Sequence, residues 1–231
     1  MLQFEKRVFS QNGEDGIIEH IFDVIGTTSC YYLEIGAGNG LENNTRHLQQ
    51  MKGFKGIQID ANNEDKTHNL YKYFITVENL EMILENHKIP KTFDLFSLDI
   101  DFNDWHVLRE FLRLGYKPNV IVVEQNAKWG PTEDKVSIYD PLYVWDITDY
   151  FGGSIFAFCN LCNLNGYSLV YSESCGANLF FVLDKYHSLF ENVNNIEKLY
   201  VKAWGGGHPD DPKKRPFERS SNLLYGKEDD K

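Results

Sequence analysis

The sequence predicts an α/β protein built on a mostly parallel sheet, Rossmann-like in outline, with helices packed on both faces. Segments of helical and strand-like patterning alternate along the 231 residues. Acidic side chains, Glu34, Asp60, Asp99, Asp101 and Glu124, sit at the ends of successive apolar runs. A Gly-x-Gly-x-Gly turn at Gly36, Gly38 and Gly40 follows the first of those runs. Ligands of such sheets bind outside the carboxyl ends of the strands, so the five acidic groups are expected on one rim.

Gly13 to Ile25 reads as a helix, with Ile17, Ile18, Ile21, Phe22 and Ile25 on one face. Tyr31 to Ile35 is the first strand. Asn44 to Met51 is a helix punctuated by Gly53, and Gly56 to Ile59 is a strand closed by Asp60. A polar helix is expected from about Asn63, a β-rich segment from Tyr73 to Val77, and a helix from Leu80 to His87 that Pro90 ends. Asp94 to Ile100 is an apolar strand, and Trp105 to Leu114 an amphipathic helix stopped by Gly115. Val120 to Val123 is the continuous run that a strand buried on both faces requires. The connection from Gln125 to Tyr150 is longer than usual, and such loops tend to be functional or lid-like. Ser154 to Leu164 is the last long helix. Tyr167 to Tyr171 and Asn178 to Leu183 form a hairpin about Gly176. The expected division is one domain over 1–191, including an N-terminal helical segment 1–28. A polar extension over 192–231 is expected to pack over the acceptor site.

The formal charge of −11 repels a phosphate backbone, which argues against a nucleic-acid substrate. Neither an apolar leader nor a membrane-length run is present, so no membrane partner and a cytoplasmic setting are expected, with a homodimer left open. Cys159 and Cys162 form a C-x-x-C inside an apolar helix, with no second pair to complete a zinc site. Buried free thiols are expected there.

The stretch Glu34-Ile35-Gly36-Ala37-Gly38-Asn39-Gly40 carries the chemistry. Its glycines let backbone approach a ligand closely, and a helix just beyond is expected to present unpaired N–H groups. Leu41 occupies the third glycine position of the dinucleotide fingerprint, which disfavours a nicotinamide cofactor. An acidic residue leading into the turn suits S-adenosylmethionine, whose amino group is cationic and which lacks a pyrophosphate. Asp60, ending the next strand, is placed to accept ribose hydroxyls.

The segments Phe9-Ser10-Gln11-Asn12-Gly13-Glu14-Asp15-Gly16, Tyr32 to Gly38 and Asn43-Asn44-Thr45 closely resemble the FkbM-like group of methyltransferases. Gly53 to Ile57, Ser97 to Asp101, Val123-Glu124-Gln125-Asn126, Tyr150 to Ser154 and Gly166 to Val170 extend the resemblance to about Leu183. It implies a class I methyltransferase fold, a seven-stranded sheet whose last strand is antiparallel. Many members of that group methylate sugar hydroxyls. By resemblance Glu34, Gly36 and Gly38 hold the methionine part of the cofactor and Asp60 the ribose, with Ala37, Asn43 and Thr45 also among the cofactor-binding residues. Val77, Glu78 and Asn79 border the adenine, Asp99 lies beside the cofactor, and Gln11 and Glu14 close over the site or, with Asn12, cap a helix.

Asp99, Asp101, Glu124 and Asn126 look like the oxygen ligands that metal-dependent small-molecule O-methyltransferases use for Mg2+ or Mn2+. Gln125 stands where that pattern often has a second acid. Without metal, mutual repulsion would raise one carboxyl to a general base. His106 follows the cluster as an alternative base, or faces solvent. Tyr139, Tyr143 and Trp145 on the long loop, and His208 in Trp204-Gly205-Gly206-Gly207-His208-Pro209, are candidates for contacting a sugar or glycan acceptor. The expected activity is O-methylation of a sugar hydroxyl on a glycan or nucleotide sugar. A non-sugar acceptor and a non-catalytic binding protein are the alternatives.

Overall fold

The structure, a computed structural model, describes residues 1–203 and 207–226. Its strands are β1 (Tyr31–Ile35), β2 (Lys55–Asp60), β3 (Leu70–Lys72), β4 (Thr92–Leu98), β5 (Lys117–Glu124), β6 (Val136–Ser137), β7 (Tyr167–Ser172), β8 (Asn178–Leu183) and β9 (Phe217–Glu218). The helices are α1 (Glu14–Ile25), α2 (Arg46–Lys52), α3 (Val77–Asn86), α4 (Asp104–Arg113), α5 (Ile155–Leu164), α6 (Ile196–Leu199) and α7 (Ser220–Tyr225).

Seven strands form one sheet in the order β3-β2-β1-β4-β5-β8-β7. β1 to β5 run parallel, and β8 lies antiparallel between β5 and β7. This is the expected α/β architecture with its antiparallel last strand. Side-chain alternation on β5 sends Ile121 and Val123 into a core shared with α3, α4 and α5, and Val120 and Val122 into a second core with α1. Both faces are covered, so the run had to be apolar throughout.

Three expectations fail in the middle of the chain. The polar helix after Asn63 is a single 3₁₀ turn, Lys66–His68. The third strand is Leu70–Lys72 rather than Tyr73 to Val77, and Val77 already belongs to α3. A capping box explains the shift: Thr76 Oγ1 accepts from Asn79 N, and Asn79 Oδ1 accepts from Thr76 N. The long loop after β5 also holds a strand, β6, which pairs antiparallel with β9 from the C-terminal extension. Asp134 in that loop accepts from Ser220 N, Ser221 N and Ser221 Oγ, capping α7.

The cysteines are free, and Cys159 and Cys162 are buried on α5, where burial pushes the Cys159 thiol up to about 12. Among the described residues no helix is long and apolar enough to cross a membrane.

Candidate active site

The turn after β1 folds against its neighbours. Gly36 N and Ala37 N both donate to Ile59 O, at 2.8 and 3.1 Å, and Asp99 N donates to Ile35 O at 2.9 Å. Gly36 has φ +91, and a Cβ there would lie 1.5 Å from Asp99 O. This glycine is therefore required by the close approach of the β4 end, not by a ligand. Gly38, at φ +56, has nothing within 4 Å of a Cβ position and presents the turn's open side.

Glu34 is buried beneath the turn. Its carboxylate accepts from Asn44 N at 2.9 Å, Thr45 N at 3.3 Å and the Thr45 hydroxyl. Burial pushes Glu34 up to about 7 against the pull of these bonds. Asn43 Oδ1 accepts from Thr45 N and Arg46 N, at 3.2 and 2.9 Å. The expected free N–H groups beyond the turn are thus engaged by Glu34 and Asn43, and α2 starts only at Arg46. Asn43, Asn44 and Thr45 act in this structure as ties that fix the turn.

Asp60 ends β2 at the rim. Its Oδ1 accepts from Asn62 N, Asn63 N and Asn63 Nδ2, each at 2.8 Å, while Oδ2 accepts from Gly38 N alone at 3.0 Å. One acceptor direction remains on Oδ2 for a ligand hydroxyl.

The ends of β4 and β5 bring acidic groups together. Oxygens of Asp99, Asp101 and Glu124 lie within 4.8 Å of one another. Burial, then the Asp101 charge, pushes Asp99 up to about 7. Burial and neighbouring Asp99 hold Glu124 well above the usual range. Burial and the charge of Asp60 raise Asp101, while His208 opposes them. The fully buried Asp104 is also raised well above the usual range by burial and by Asp99, and its Oδ2 has no donor. Asp104 belongs to the cluster and went unnoticed in the sequence, where it reads as the first turn of α4.

Such a set suits a hard divalent cation: three carboxylates converge, and Glu124 Oε2 is buried with no N–H or O–H reaching it. Asn126 does not join them. Its Nδ2 donates to Asp149 O and Phe151 O, at 2.8 and 3.0 Å, and its Oδ1 accepts from Lys128 N. Gln125 faces away and donates to Ser172 Oγ at 3.1 Å.

His106 neither faces solvent nor reaches the cluster. It is buried, its Nε2 donates to Ser137 O at 2.7 Å, and burial pushes it down to about 4. A neutral ring whose proton is held by a carbonyl cannot serve as the base here. Asn79 is likewise occupied, by the cap of α3 and by Phe74 O. Exposed Glu78 accepts from Tyr139 Oη at 2.6 Å, which lowers its pKa and ties the long loop to α3.

Glu14 is buried and accepts from Asn12 N at 2.8 Å and Asn178 Nδ2 at 3.0 Å. It folds the preceding loop inward instead of capping from Asn12, while Gln11 stays exposed. Beside it Glu173 is pushed up to about 9, by burial and then by Glu14. No feature of the sequence marked Glu173; its position depends on the β7–β8 turn.

Beyond Glu124 lies a cavity of about 280 Å3, with Asn12, Lys128, Phe151 and His208 among its walls. Trp145 meets the His208 ring edge-on at 4.6 Å. Tyr143 instead packs on Phe102 at 3.9 Å and bonds Arg215, and Tyr139 is held at Glu78. Trp204, Gly205 and Gly206 lie outside the described residues.

No protein-family model and no curated protein matches this chain. Among solved structures it is similar to an O-methyltransferase from Bacillus cereus in complex with SAH, at 17% identity and TM-score 0.46, over 72% of this chain and 79% of that one. It is also similar to an S-adenosylmethionine-dependent methyltransferase from Clostridium acetobutylicum, at 13% identity and TM-score 0.44, over 74% and 90%. The MycE methyltransferase of mycinamycin biosynthesis, in complex with Mg, SAH and mycinamycin VI, aligns at 17% identity and TM-score 0.42, over 72% of this chain and 48% of its own.

Proposed function

We propose that this protein is an S-adenosylmethionine-dependent O-methyltransferase whose acceptor is a sugar hydroxyl. The observation that carries the reading is the meeting of Asp99, Asp101 and Glu124 at the ends of two adjacent parallel strands, with Asp60 close enough to act on Asp101. The open side of Gly38 and the remaining acceptor site on Asp60 Oδ2 suit the methionine and ribose parts of the donor. An acidic rim also favours a sulfonium and its ammonium group over an anionic cofactor.

Asp99 sits at the centre of the reaction. With its pKa near 7 it takes the proton of the acceptor hydroxyl at neutral pH. The acceptor oxygen bonds the methyl carbon as the carbon–sulfur bond breaks, and the sulfonium leaves as a neutral thioether. Glu124, raised by burial and by Asp99, stays nearer its neutral form and adds less negative charge beside the base. Where a divalent ion is bound, Asp99, Asp101 and Glu124 would hold it, and it would orient the acceptor oxygen and lower its pKa. Most of the acceleration comes from holding donor and acceptor together.

The test pairs SAH calorimetry with SAH release from S-adenosylmethionine in the presence of glycans, nucleotide sugars and phenolic acceptors. SAH binding with transfer to sugars is expected. Transfer to phenols alone would replace the sugar with a non-sugar acceptor, and absence of SAH binding would end the reading.

A further inference from the structure

The cavity beyond Glu124 is closed by chain that is remote in sequence. A Cβ at Gly176 would lie 2.8 Å from Val201 O and 3.3 Å from Ala203 N, so the segment 201–203 packs directly on the β7–β8 turn. Tyr200 Oη and Ala203 N both donate to Ala127 O just past β5. Further on, Asp149 N donates to Pro209 O at 2.8 Å, and Asp211 N to Asp149 Oδ1 at 2.7 Å. Arg215 locks the segment. Its guanidinium donates to Asp211 at 2.8 Å, to Asp146 at 2.8 Å and to the Tyr143 hydroxyl, and lies 4.3 Å over the Tyr150 ring. These contacts set His208 against Trp145 and Phe151, at the mouth of the cavity.

Charge decides what the cavity takes. Among the described residues that line it, Lys128 alone has a permanent positive charge, and its ammonium is held between Asp149 and Asp210. The other ionisable groups nearby are the carboxyls of Glu124, Asp99, Asp101, Glu14 and Glu173, and burial raises Glu124 and Glu173 toward their neutral forms. Among the described lining residues no side-chain cation is free to receive a phosphate, because Lys128 is already held between two carboxylates. The exposed Asn12 amide and the Phe151 and His208 rings offer what an uncharged sugar needs: hydrogen bonds to hydroxyls and apolar faces for ring C–H groups.

We propose that residues 201–203 and 207–215 form a wall of the acceptor site, held by Arg215 as a positioning residue, and that the acceptor is an uncharged pyranoside, not a nucleotide sugar. The proposal rests on the methyl-transfer reading above.

The experiment measures SAH release with methyl α-D-glucopyranoside, methyl α-D-galactopyranoside, methyl α-L-rhamnopyranoside and UDP-glucose, with and without magnesium. SAH affinity is measured by calorimetry on the same preparations. The wild type is expected to methylate at least one methyl pyranoside with kcat/KM about 100-fold above that for UDP-glucose. Arg215→Met is expected to raise the pyranoside KM about tenfold or more, with SAH affinity within about twofold of wild type. His208→Ala removes an exposed ring without disturbing the lock, so it keeps the wall testable if Arg215→Met fails to fold, and it is expected to raise the same KM. Preference for UDP-glucose, transfer to none of the pyranosides, or an unchanged KM in His208→Ala would overturn the proposal. A wild type that binds no SAH would instead remove the methyl-transfer reading itself.

Discussion

Asp60 illustrates how a carboxylate at the strand rim is held in one orientation. Three donors saturate Oδ1 and fix its plane, and Gly38 N holds Oδ2 toward the open side of the turn. Asp60→Ala removes both the ligand contact and the tie to Gly38. SAH affinity should fall by about 1–3 kcal/mol, the value of a hydrogen bond to a charged acceptor, with calorimetry as the readout. Unchanged affinity would take Asp60 out of the site. Glu173 supplies a second prediction, in pH. Its folded pKa of about 9 lies above the unfolded value of 4.5, so the folded state binds the extra proton between them. The stability it contributes is complete below pH 4.5 and is lost as pH rises toward 9. Glu34, raised to about 7, acts with the same sign at lower pH, and His106, lowered to about 4, acts oppositely between pH 4 and 6.5. Glu124 and Asp104, also raised well above the usual range, act with the same sign, so the urea midpoint should fall between pH 7 and 8.5. Glu173→Gln keeps a donor toward Glu14 and should reduce that slope; an equal slope in the variant would show that Glu173 contributes nothing to it.

At the scale of the element, the glycine turn separates into parts with different duties. Both Gly36 and Gly38 have positive φ, which costs a residue with a Cβ about 1–2 kcal/mol. Only at Gly36 does the added atom also meet backbone, 1.5 Å from Asp99 O. Gly36→Ala should lower unfolding free energy by about 4 kcal/mol or more, because β1 and β4 must part, whereas Gly38→Ala should lose about 1–2 kcal/mol. Urea denaturation of both variants checks the order, and equal losses would mean that the strand ends do not approach so closely. From sequence the two glycines were indistinguishable, since the contact depends on a strand more than 60 residues away. The long strands were legible because burial on both faces leaves β1, β4 and β5 little freedom in composition. β3 was missed because its three residues are too short for a period, although the Thr76-x-x-Asn79 box could have marked where α3 starts. β6 and β9 were illegible because each has two residues and a partner about 80 positions away.

Across the whole molecule, a chain of net charge −11 folds so that acids from β4, β5 and the start of α4 converge. The convergence of the strand-end acids was legible, since a parallel sheet delivers every strand's carboxyl end to one edge. The exclusion of Asn126 and His106 was not, because each is turned aside by carbonyls of a loop whose path is set by its pairing with the C-terminal extension. Assembling these acids opposes folding wherever they ionise, and protons or a cation can relieve it. A divalent ion held by Asp99, Asp101 and Glu124 would bind the folded chain and not the unfolded one, where these residues lie apart. Stability should then rise with free Mn2+ as RT ln(1 + [L]/Kd), reaching about 2.7 kcal/mol at a hundredfold excess over Kd. The rise should be larger at pH 8 than at pH 6, since Asp99 releases its proton near 7 and frees a ligand oxygen. Asp101→Asn combined with Glu124→Gln should abolish the response without lowering the metal-free melting temperature, because the first removes charge from a crowded site and the second replaces a carboxyl already raised toward its neutral form by an isosteric amide. A melting temperature indifferent to Mn2+ at both pH values would leave protonation of the raised carboxyls as the means by which the cluster is tolerated, and would make Asp99 a base that works without metal.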